Sequence, residues 1–462
     1  MRAKWLLMLL MAGLPAGRAA AADKPNILFI VVETLRRDHV GCYGYRRATT
    51  PTLDRMASEG ARFDQAIGTA SWTIPTVMSM FTSLPPEVHG VVSHACCLAD
   101  GATTLAAELR RAGYQTAGIT STPSTNGKFG FDRGFEFYDD YTIVLDAGLD
   151  LAGDGEPPKA ISERPTGEQL TRLAVAWLSG KRDRAKPFFL HLFYFDPHYD
   201  YLPPPPYDRM FVDPGNRSAQ TGRGIRQLKD RPLAPEDREK VVGLYDGEVR
   251  YTDDQIGLVL EELGAQGLMD KTVVVIGGDH GDEFWDHGGT THGHTLYDEL
   301  VRVPLLVRYP ERIGAGTVVR EQVSHIDVMP TVLELAGVPV PAQCMGRSLV
   351  PPLEGRTKGF GDRPAFMSTR ADALLDGART PTQKIVEAVG WGRTAMYALS
   401  EDPREKHDLS GTDRAAEFNG LRAKLDEWRK QAAVRGSQAR KPRGPQLDPE
   451  LIRQLRSLGY VQ

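Results

Sequence analysis

Short runs of apolar residues alternate along the chain with segments in which apolar residues recur at helical spacing. The apolar runs predict buried strands at residues 27–32, 188–195, 273–276 and 303–307. The helical patterns cover residues 103–112, 169–178 and 251–263. Strands that alternate with helices form parallel sheets covered by helices on both faces. The pattern therefore predicts an α/β fold with a doubly wound, mostly parallel sheet.

The pattern changes after about residue 350, where the apolar runs are shorter and glycine-rich turns separate them. Segments 384–389 and 394–399 predict strands of a small antiparallel sheet, and residues 413–433 predict a terminal helix. We therefore expect three parts after residue 22: a larger domain over 23–350, a smaller α+β subdomain over 351–440 and a C-terminal tail over 441–462.

The first 22 residues predict a signal peptide. Arg2 and Lys4 precede an apolar run over residues 5–14, and small residues follow at 19–22. We therefore expect a periplasmic or secreted protein. An uncleaved N-terminal anchor is the alternative, although the run is shorter than the ~20 apolar residues of a membrane-spanning helix. No later run reaches that length, so no membrane span is expected after cleavage of the signal peptide.

Composition and charge add little to this picture. With 41% hydrophobic and 25% charged residues, the 462-residue chain is typical of a globular protein and long enough for more than one core. Removal of residues 1–22 takes away three cations and no acid, so the formal net charge falls from -4 to -7. A mildly acidic protein has no electrostatic footprint for nucleic acid, and we expect no nucleic-acid partner.

The cysteines, which are Cys42, Cys96, Cys97 and Cys344, lack the paired spacing of a zinc knuckle. Export permits disulfides. Since adjacent cysteines bond each other only with strain, we expect Cys96 or Cys97 to pair with a distant thiol.

Polar residues follow three of the predicted strands. Glu33 comes directly after the first strand, His198 follows the second, and Asp279 and His280 follow the third. Ligands of doubly wound sheets bind beyond the carboxyl ends of the strands. We therefore expect these side chains to converge on one site.

A dense cluster of histidines and acids follows the third strand. Four of the eleven histidines lie within residues 280–294, beside four acids: His280, His287, His292 and His294 with Asp279, Asp282, Glu283 and Asp286. Imidazole and carboxylate groups together are typical ligands of a divalent cation. A polar loop with titrating histidines is the alternative.

Residues 71–76, Ser-Trp-Thr-Ile-Pro-Thr, lead into an apolar helical pattern. Pro75 in a first turn predicts a helix that begins near Thr73. Free N–H groups and the helix dipole favour an anion at such an end. The Thr73 hydroxyl is then either an ordinary helix cap or, where a metal lowers its pKa, a nucleophile.

Taken with further motifs in the same order, these segments resemble the sulfatase family of the alkaline-phosphatase superfamily. Two of the similar motifs are Asp196-Pro197-His198 and Asp279-His280-Gly281-Asp282-Glu283-Phe284. Others lie at residues 25–27, 36–44, 50–54, 82–85, 89–90, 292–299, 302–304, 327–331, 346–349, 397–403 and 458–460. The resemblance covers nearly all of the mature chain. It implies an alkaline-phosphatase-like fold and a metal-dependent hydrolase of sulfuric esters.

The resemblance implies a metal site made from two pairs of residues and the nucleophile. The first pair, acidic in sulfatases, is Glu33 and Thr34 here, so one carboxylate is lost. The second pair is Asp279 and His280. The nucleophile position falls on Thr73, whose oxygen is also expected to contact the metal.

The resemblance also implies catalytic histidines. His198 matches a histidine that contacts the ester anion or the leaving group, and His292 and His294 lie where a catalytic lysine or histidine is found. The expected partner is an anionic ester, either a sulfated glycan or an aryl or alkyl ester. Loops predicted at 152–168 and 212–238 are candidates for recognition of its organic group.

Thr73 departs from the family pattern. Sulfatases that make formylglycine carry Cys or Ser in a C/S-x-P-x-R motif, whereas residues 73–77 read Thr-Ile-Pro-Thr-Val. A secondary alcohol does not yield that aldehyde, and Val77 replaces a cation, so no formylglycine is expected. Threonine is instead a nucleophile of phosphodiester and phosphonate hydrolases and of phosphotransferases in the superfamily, which makes these activities an alternative. A sulfatase-fold binding protein that has lost catalysis is a second alternative.

The expected cofactor is one divalent metal ion. Calcium, the usual ion of the family, prefers oxygen ligands and seldom takes imidazole. Because His280 supplies nitrogen, manganese, zinc or magnesium is favoured over the family default.

Overall fold

The computed structural model describes residues 24–143, 165–228, 231, 233–361, 363–438 and 444–457. The predicted signal peptide over 1–22 and most of the predicted loop over 152–168 lie outside these residues. Among the helices in the described ranges, none has both the length and the apolar character required to cross a bilayer.

Strands and helices alternate up to about residue 340, and four consecutive strands and two helices form most of the remainder. The strands are β1 Asn26–Val32, β2 Ala61–Ile67, β3 Gln115–Thr120, β4 Phe137–Asp139, β5 Phe188–Tyr194, β6 Thr272–Gly278, β7 Glu283–Phe284, β8 Thr290–Thr291, β9 Arg302–Val303, β10 Leu305–Arg308, β11 Thr317–Ser324, β12 Ala365–Thr369, β13 Leu375–Arg379, β14 Gln383–Ala388 and β15 Thr394–Ala398. The α-helices are α1 Pro51–Glu59, α2 Thr73–Thr82, α3 Pro86–His89, α4 Leu105–Arg111, α5 Gly167–Ala176, α6 Tyr207–Met210, α7 Pro235–Ala265, α8 Asp298–Val301, α9 Val328–Leu335, α10 Val350–Leu353, α11 Asn419–Gln438 and α12 Pro449–Ser457.

The main sheet runs in the order β11-β2-β10-β6-β1-β5-β3-β4, and β9 also pairs with β2. Its centre is parallel, because β1 pairs in parallel with both β5 and β6. The mostly parallel α/β sheet predicted from the sequence is confirmed.

Helices cover both faces of the main sheet. In β1, Ile27, Phe29 and Val31 face one core with α2 and α9, whereas the alternate residues face a second core with α1, α5 and α7. Side chains alternate between the faces of a strand, so a continuous apolar run fills both cores. Each fully buried aliphatic side chain contributes roughly 1.5–3 kcal/mol to folding.

The predicted strand at 303–307 was wrong in direction and continuity. Pro304 divides it into β9 and β10, and β10 runs antiparallel to both β6 and β2. Proline lacks the N–H that a continuous ladder requires. An apolar run alone does not distinguish a parallel strand from an antiparallel one.

Two other sequence interpretations need correction. Helix α7 begins at Pro235 and continues to Ala265, so it occupies the end of the predicted loop 212–238 and exceeds the predicted helix 251–263. The expected disulfide does not form among the described residues, because none of the four cysteines is bonded to another there.

The C-terminal part contains the predicted antiparallel sheet, in the order β12-β13-β14-β15, with α11 packed against it. Where a tail was expected, α12 forms and buries Leu451 and Leu455 in the first core. The boundaries predicted for the domains stay a prediction.

A buried ion cluster joins this sheet to α8. Asp298 accepts hydrogen bonds from Arg379 at 2.8 Å and from Lys384 at 3.0 Å. Lys384 also pairs with Glu405 at 2.8 Å, and its side chain is fully buried. These charges fix the smaller sheet beside the segment that carries the clustered histidines.

Candidate active site

Glu33 and Asp279 lie side by side because of the register of their strands. Val32, the last residue of β1, pairs with Gly278, the last residue of β6, in a parallel ladder. The next residue of each strand therefore leaves the sheet at the same edge. Thr34 follows in a left-handed conformation, with φ 52°, and its N–H donates to Asp279 Oδ1 at 3.0 Å.

Thr73 is the first residue of α2 and points at this edge. Trp72 precedes it in an extended conformation and provides no side-chain cap, so Thr73 is not the helix cap itself. Its hydroxyl donates to Glu33 Oε1 at 2.6 Å, and its Oγ1 lies 3.3 Å from His280 Nε2. The residue is only 1% exposed.

His280 is held in one orientation by the backbone around it. Its Nδ1 lies 2.9 Å from the Gly281 carbonyl oxygen, which can only accept, so Nδ1 carries the ring proton. The backbone N–H of His280 donates to Asp279 Oδ1 at 2.7 Å. The unprotonated Nε2 therefore faces Thr73 Oγ1 and, at 3.4 Å, Asp279 Oδ2.

Several hydrogen-bond acceptors converge in this buried space, and some of them lack a donor. One ligand atom from each of Glu33, Asp279 and His280 lies within 4.8 Å of the others. Glu33 Oε2 and Asp279 Oδ2 are buried and lack hydrogen-bond partners among the described residues. Buried carboxylate oxygens in such a state are costly unless a cation neutralises them.

The pKa shifts of these groups also indicate that charge is buried here without compensation. Burial, with repulsion from Asp279, raises the pKa of Glu33 well above its usual range. Burial likewise raises the pKa of Asp279. Burial and the neighbouring His292 lower the pKa of His280 far below its usual range, so its ring is neutral.

His292 is positioned by a carboxylate beside this cluster. Its Nδ1 lies 2.6 Å from Asp282 Oδ1, and Tyr201 donates from its hydroxyl to Asp282 Oδ2 at 2.6 Å. The rings of His292 and His280 have centroids 4.3 Å apart. Asp282 and Tyr201 are fully buried, and burial raises the pKa of Asp282 to about 6, so it is mainly ionised at neutral pH.

His198 also lies close to His292, with ring centroids 5.2 Å apart. Its Nδ1 donates to the Tyr199 carbonyl at 2.6 Å, and its pKa is lowered by burial and by His292. The ring is therefore neutral and presents Nε2 as its other polar atom. Asp196, from the same strand end, instead accepts from the N–H groups of Thr166 and Gly167 and caps α5.

His294 and His287 are not directed at Thr73. Both ring nitrogens of His294 are engaged, with Glu283 Oε2 at 3.0 Å and with the His292 carbonyl at 3.2 Å. His287 bonds to Glu299 at 2.6 Å and stacks on Tyr297. The sequence therefore groups together histidines that the β7–β8 ribbon separates.

A cleft of about 280 Å³ opens beside His292. Its walls come from distant parts of the chain and include Trp72, His94, Tyr199, Arg226 and Asp372. A larger cavity of about 610 Å³ lies against α11, but neither Thr73 nor the acids and histidines around it line that cavity.

Sequence reasoning did not assign a role to Tyr201, Asp282 or His325. Tyr201 carries no local signal, because it reaches Asp282 only through the folded loop after β5. Asp282 was visible as one of the acids among the clustered histidines. His325 is buried, and burial lowers its pKa to about 3, so its ring is neutral.

The chain matches two protein-family models. The model described as Sulfatase matches residues 25–338, and the model described as N-sulphoglucosamine sulphohydrolase, C-terminal, matches residues 287–431. The first match contains Glu33, Thr73, His198, Asp279, His280 and His292.

Two characterised relatives align with most of the chain. An arylsulfatase of Clostridium perfringens is 26% identical over an alignment of 454 positions, which covers 85% of this chain and 92% of that protein. An N-acetylglucosamine-6-O-sulfatase of Bacteroides thetaiotaomicron is 25% identical over an alignment of 502 positions, which covers 88% of this chain and 87% of that protein.

Solved structures share the fold. The structure of BT4656 in complex with its substrate D-glucosamine-2-N,6-O-disulfate has a TM-score of 0.73 at 23% identity and covers 91% of this chain and 99% of that one. A phosphonate monoester hydrolase of Agrobacterium radiobacter also has a TM-score of 0.73 at 23% identity, with coverage of 88% and 96%.

Proposed function

Because this chain belongs to the sulfatase family of sulfuric ester hydrolases, we propose that it cleaves sulfuric esters with the hydroxyl of Thr73 as its nucleophile. The observation that carries this proposal is the position of Thr73 Oγ1, 2.6 Å from Glu33 Oε1 and 3.3 Å from His280 Nε2. The hydroxyl proton points at a carboxylate, so an Oγ1 lone pair is left to attack the ester.

The residues around Thr73 fit a divalent cation. Asp279 Oδ2 and His280 Nε2 lie 3.4 Å apart, close enough to ligate the same ion. Glu33 adds a second buried carboxylate oxygen without a partner among the described residues. We propose that Glu33, Asp279, His280 and Thr73 hold one such ion, which would stabilise the negative charge that develops during the reaction.

The orientation of His280 favours manganese or zinc over calcium. Its Nδ1–H is fixed on a backbone carbonyl, which is the usual way in which a protein directs the opposite nitrogen of histidine toward a metal. Nitrogen ligands suit manganese and zinc and are rare for calcium.

The N-terminal end of α2 is suited to binding the sulfate group of the substrate. Ordinary side-chain capping is absent at Trp72, so the first N–H groups of the helix remain available to an anion. Val77, which replaces the arginine of the formylglycine pattern, is buried in the apolar core and takes no part in binding.

In the first step Thr73 Oγ1 bonds to the sulfur atom and the bond from sulfur to the leaving oxygen breaks. The proton of Thr73 passes to Glu33 Oε1, and His292 Nε2–H supplies the proton that the leaving oxygen needs. Water then attacks the sulfur, gives one proton to His292 and releases hydrogen sulfate. The threonine oxygen recovers its proton from Glu33.

His292 is better placed than His198 or His294 to donate this proton. A carboxylate partner stabilises the protonated form of an imidazole, and Asp282 gives His292 such a partner at 2.6 Å. His198 bonds to a carbonyl instead, and its lowered pKa keeps it neutral, so we assign it contact with the ester anion. Both nitrogens of His294 are occupied elsewhere, and we assign it no proton transfer.

We propose that the organic group is a sugar. The relative from Bacteroides thetaiotaomicron is an N-acetylglucosamine-6-O-sulfatase, and BT4656 binds a glucosamine disulfate. A cleft of about 280 Å³ with Trp72, His94 and Arg226 in its walls has the size and polarity for roughly one sugar ring. We also propose export of the protein, on the basis of residues 1–22.

Hydrolysis of phosphonate or phosphate esters is the second candidate. Threonine at the nucleophile position favours it, and the phosphonate monoester hydrolase of Agrobacterium radiobacter shares the fold. A binding protein without catalysis is less consistent with the site, because a dead site has no reason to keep unpaired buried carboxylates around an oriented imidazole.

A substrate panel tests the proposal. Aryl sulfate, aryl phosphate, phosphodiester and phosphonate monoester substrates would be assayed with wild-type protein loaded with Mn²⁺, Zn²⁺ or Ca²⁺, beside Thr73→Ala and His280→Ala. We expect sulfate turnover that both substitutions abolish. Turnover of phosphorus esters alone would replace the sulfatase assignment with the second candidate, and no turnover of any ester would favour the binding protein.

A further inference from the structure

Exposed apolar side chains are concentrated at one end of the C-terminal sheet. In the part of the chain that the structure describes, eight large apolar residues are exposed, and three of them are Leu374, Val389 and Trp391. Trp391 has the highest exposure, at 77%. Scattered apolar residues on a surface are ordinary, but a group of them marks a binding surface.

Backbone hydrogen bonds hold these three residues together. The N–H of Val389 donates to the Leu374 carbonyl at 2.8 Å, one residue beyond the paired ends of β13 and β14. Trp391 lies in the turn between β14 and β15, where its N–H donates to the Ala388 carbonyl at 3.3 Å. The backbone of the turn is therefore fixed while the indole ring faces solvent.

This surface continues the rim of the catalytic cleft. The turn between β12 and β13 contains Asp372, which lines the cleft and donates its N–H to the Gly293 carbonyl at 3.2 Å. The hydroxyl of Thr369 donates to the same carbonyl at 2.9 Å. The Gly293 N–H donates to the carbonyl oxygen of Ser71 at 2.9 Å. The turn is thus attached to the residues that flank His292 and Thr73.

The distance from the cleft to Trp391 is set by the sheet. The turn that contains Asp372 and the turn that contains Trp391 are at the same end of the sheet and two strand spacings apart, about 10 Å. A ligand that leaves the cleft over Asp372 therefore meets Leu374 and Val389 first and Trp391 next.

We propose that Leu374, Val389 and Trp391 form a second sugar-binding subsite, which binds a ring of the substrate remote from the ester. This inference rests on the proposed function. The cleft has room for about one ring, so the rest of an oligosaccharide must cross its rim. The flat face of a tryptophan packs against the C–H groups on one face of a pyranose, and the two aliphatic side chains extend that apolar surface.

A glycan fits this surface better than a membrane or a second protein copy does. The patch is a narrow strip of three side chains beside polar cleft residues, including Arg226, His94 and Asp372. A stable protein interface buries a larger area, of about 800 Å² on each partner. An oligosaccharide needs only such a strip that is continuous with the catalytic site.

Paired substrates of different length test the subsite. The assay compares a sulfated monosaccharide with a tetrasaccharide that carries the same ester at its end, in wild type, Trp391→Ala and the control Leu258→Ala. Leu258 is 47% exposed on α7, away from the cleft. We expect Trp391→Ala to lower kcat/KM for the tetrasaccharide about tenfold through KM, with the monosaccharide unchanged and the control like wild type. Equal effects on both substrates, or no effect on either, would overturn the subsite.

Binding measurements distinguish failure of this inference from failure of the proposed function. If wild-type protein hydrolyses neither substrate, the proposed function fails, but the affinity for the sulfated tetrasaccharide is still measurable by calorimetry. Weaker binding by Trp391→Ala than by Leu258→Ala supports the subsite. Equal binding by both variants overturns it, as does wild-type self-association that Trp391→Ala abolishes without a change in tetrasaccharide affinity.

Discussion

The hydroxyl of Thr73 donates a hydrogen bond of 2.6 Å to Oε1 of Glu33, although the two residues are forty positions apart in the chain. One stands at the start of a helix and the other at the end of the central strand. This contact places a potential nucleophile against a carboxylate that is itself destabilised by burial. The chemistry of the site and its cost to stability therefore arise from the same pair.

Glu33→Gln should stabilise the metal-free protein while it removes activity. Burial and Asp279 raise the pKa of Glu33 above its ordinary value of 4.5, so the folded state binds more protons than the unfolded state. Stability is then lost as the pH rises from about 4.5 through the folded pKa. We expect the metal-free variant to melt at least about 2 °C above wild type at pH 8, and less so at pH 5. Calorimetry measures both.

The control for this comparison is Glu261→Gln, which changes an exposed glutamate on α7. Its melting temperature should match that of wild type at both pH values. Identical melting of Glu33→Gln and wild type at pH 8 would contradict the description of Glu33 as a strained carboxylate.

His280→Ala should weaken the binding of manganese and zinc. The variant removes the oriented Nε2, and since loss of even a residue that supports a ligand costs about 10–100-fold in affinity, we expect a loss of at least that size. The affinity for calcium should change less, because calcium relies on oxygen. Titration calorimetry with each ion checks the difference, and His407→Ala, whose side chain is 80% exposed, is the matched control. An unchanged affinity for manganese and zinc would remove His280 from the metal site.

Asp282→Asn should slow esters with poor leaving groups more than activated ones. The amide no longer stabilises a protonated His292, and a lost general acid costs about 10²–10⁴-fold when the leaving oxygen needs a proton. A nitrophenyl ester needs that proton less than an alkyl ester does. Rates over a series of leaving groups therefore separate proton donation from general damage, which would slow all esters equally. His294→Gln should leave the series nearly unchanged.

Asp298→Ala should destabilise the fold more than most substitutions do. Burial opposes ionisation of Asp298, but Arg379 and Lys384 outweigh it and hold its pKa below its usual range. Removal of the carboxylate leaves two buried cations without this partner, at a cost of about 3–5 kcal/mol. Urea unfolding measures the loss. The exposed cluster of Arg414 with Glu401 and Glu417 is the control, and Arg414→Gln should change stability little.

The sequence predicted the central parallel strands of the main sheet but not the direction of β10, which lies between β2 and β6. The apolar run of β1 is continuous because both faces are buried, and a run of that length is typical of a central parallel strand. The run at 303–307 has the same character, yet its direction depends on partners that are far away in the chain. Local pattern carries no information about which neighbour a strand meets.

The candidate site was also predicted only in part. Glu33, Asp279 and His280 follow strands, so the topology of a parallel sheet already brings them to one edge. The different partners of His292 and His294 could not be predicted. Side chains two residues apart on an irregular ribbon can point in different directions. Tyr201 was missed because its contact with Asp282 exists only in the folded loop.

Mass spectrometry of the peptide that contains Thr73 tests the central claim most directly. Metal-loaded enzyme would be mixed with a sulfate ester, quenched in acid during turnover and digested, with Thr73→Ala treated in parallel. We predict that Thr73 carries the mass of one sulfuryl group in the wild type and that the variant neither turns over nor forms an adduct. Active enzyme whose turnover survives Thr73→Ala, or whose adduct lies on another residue, would contradict the assignment of Thr73 as the nucleophile.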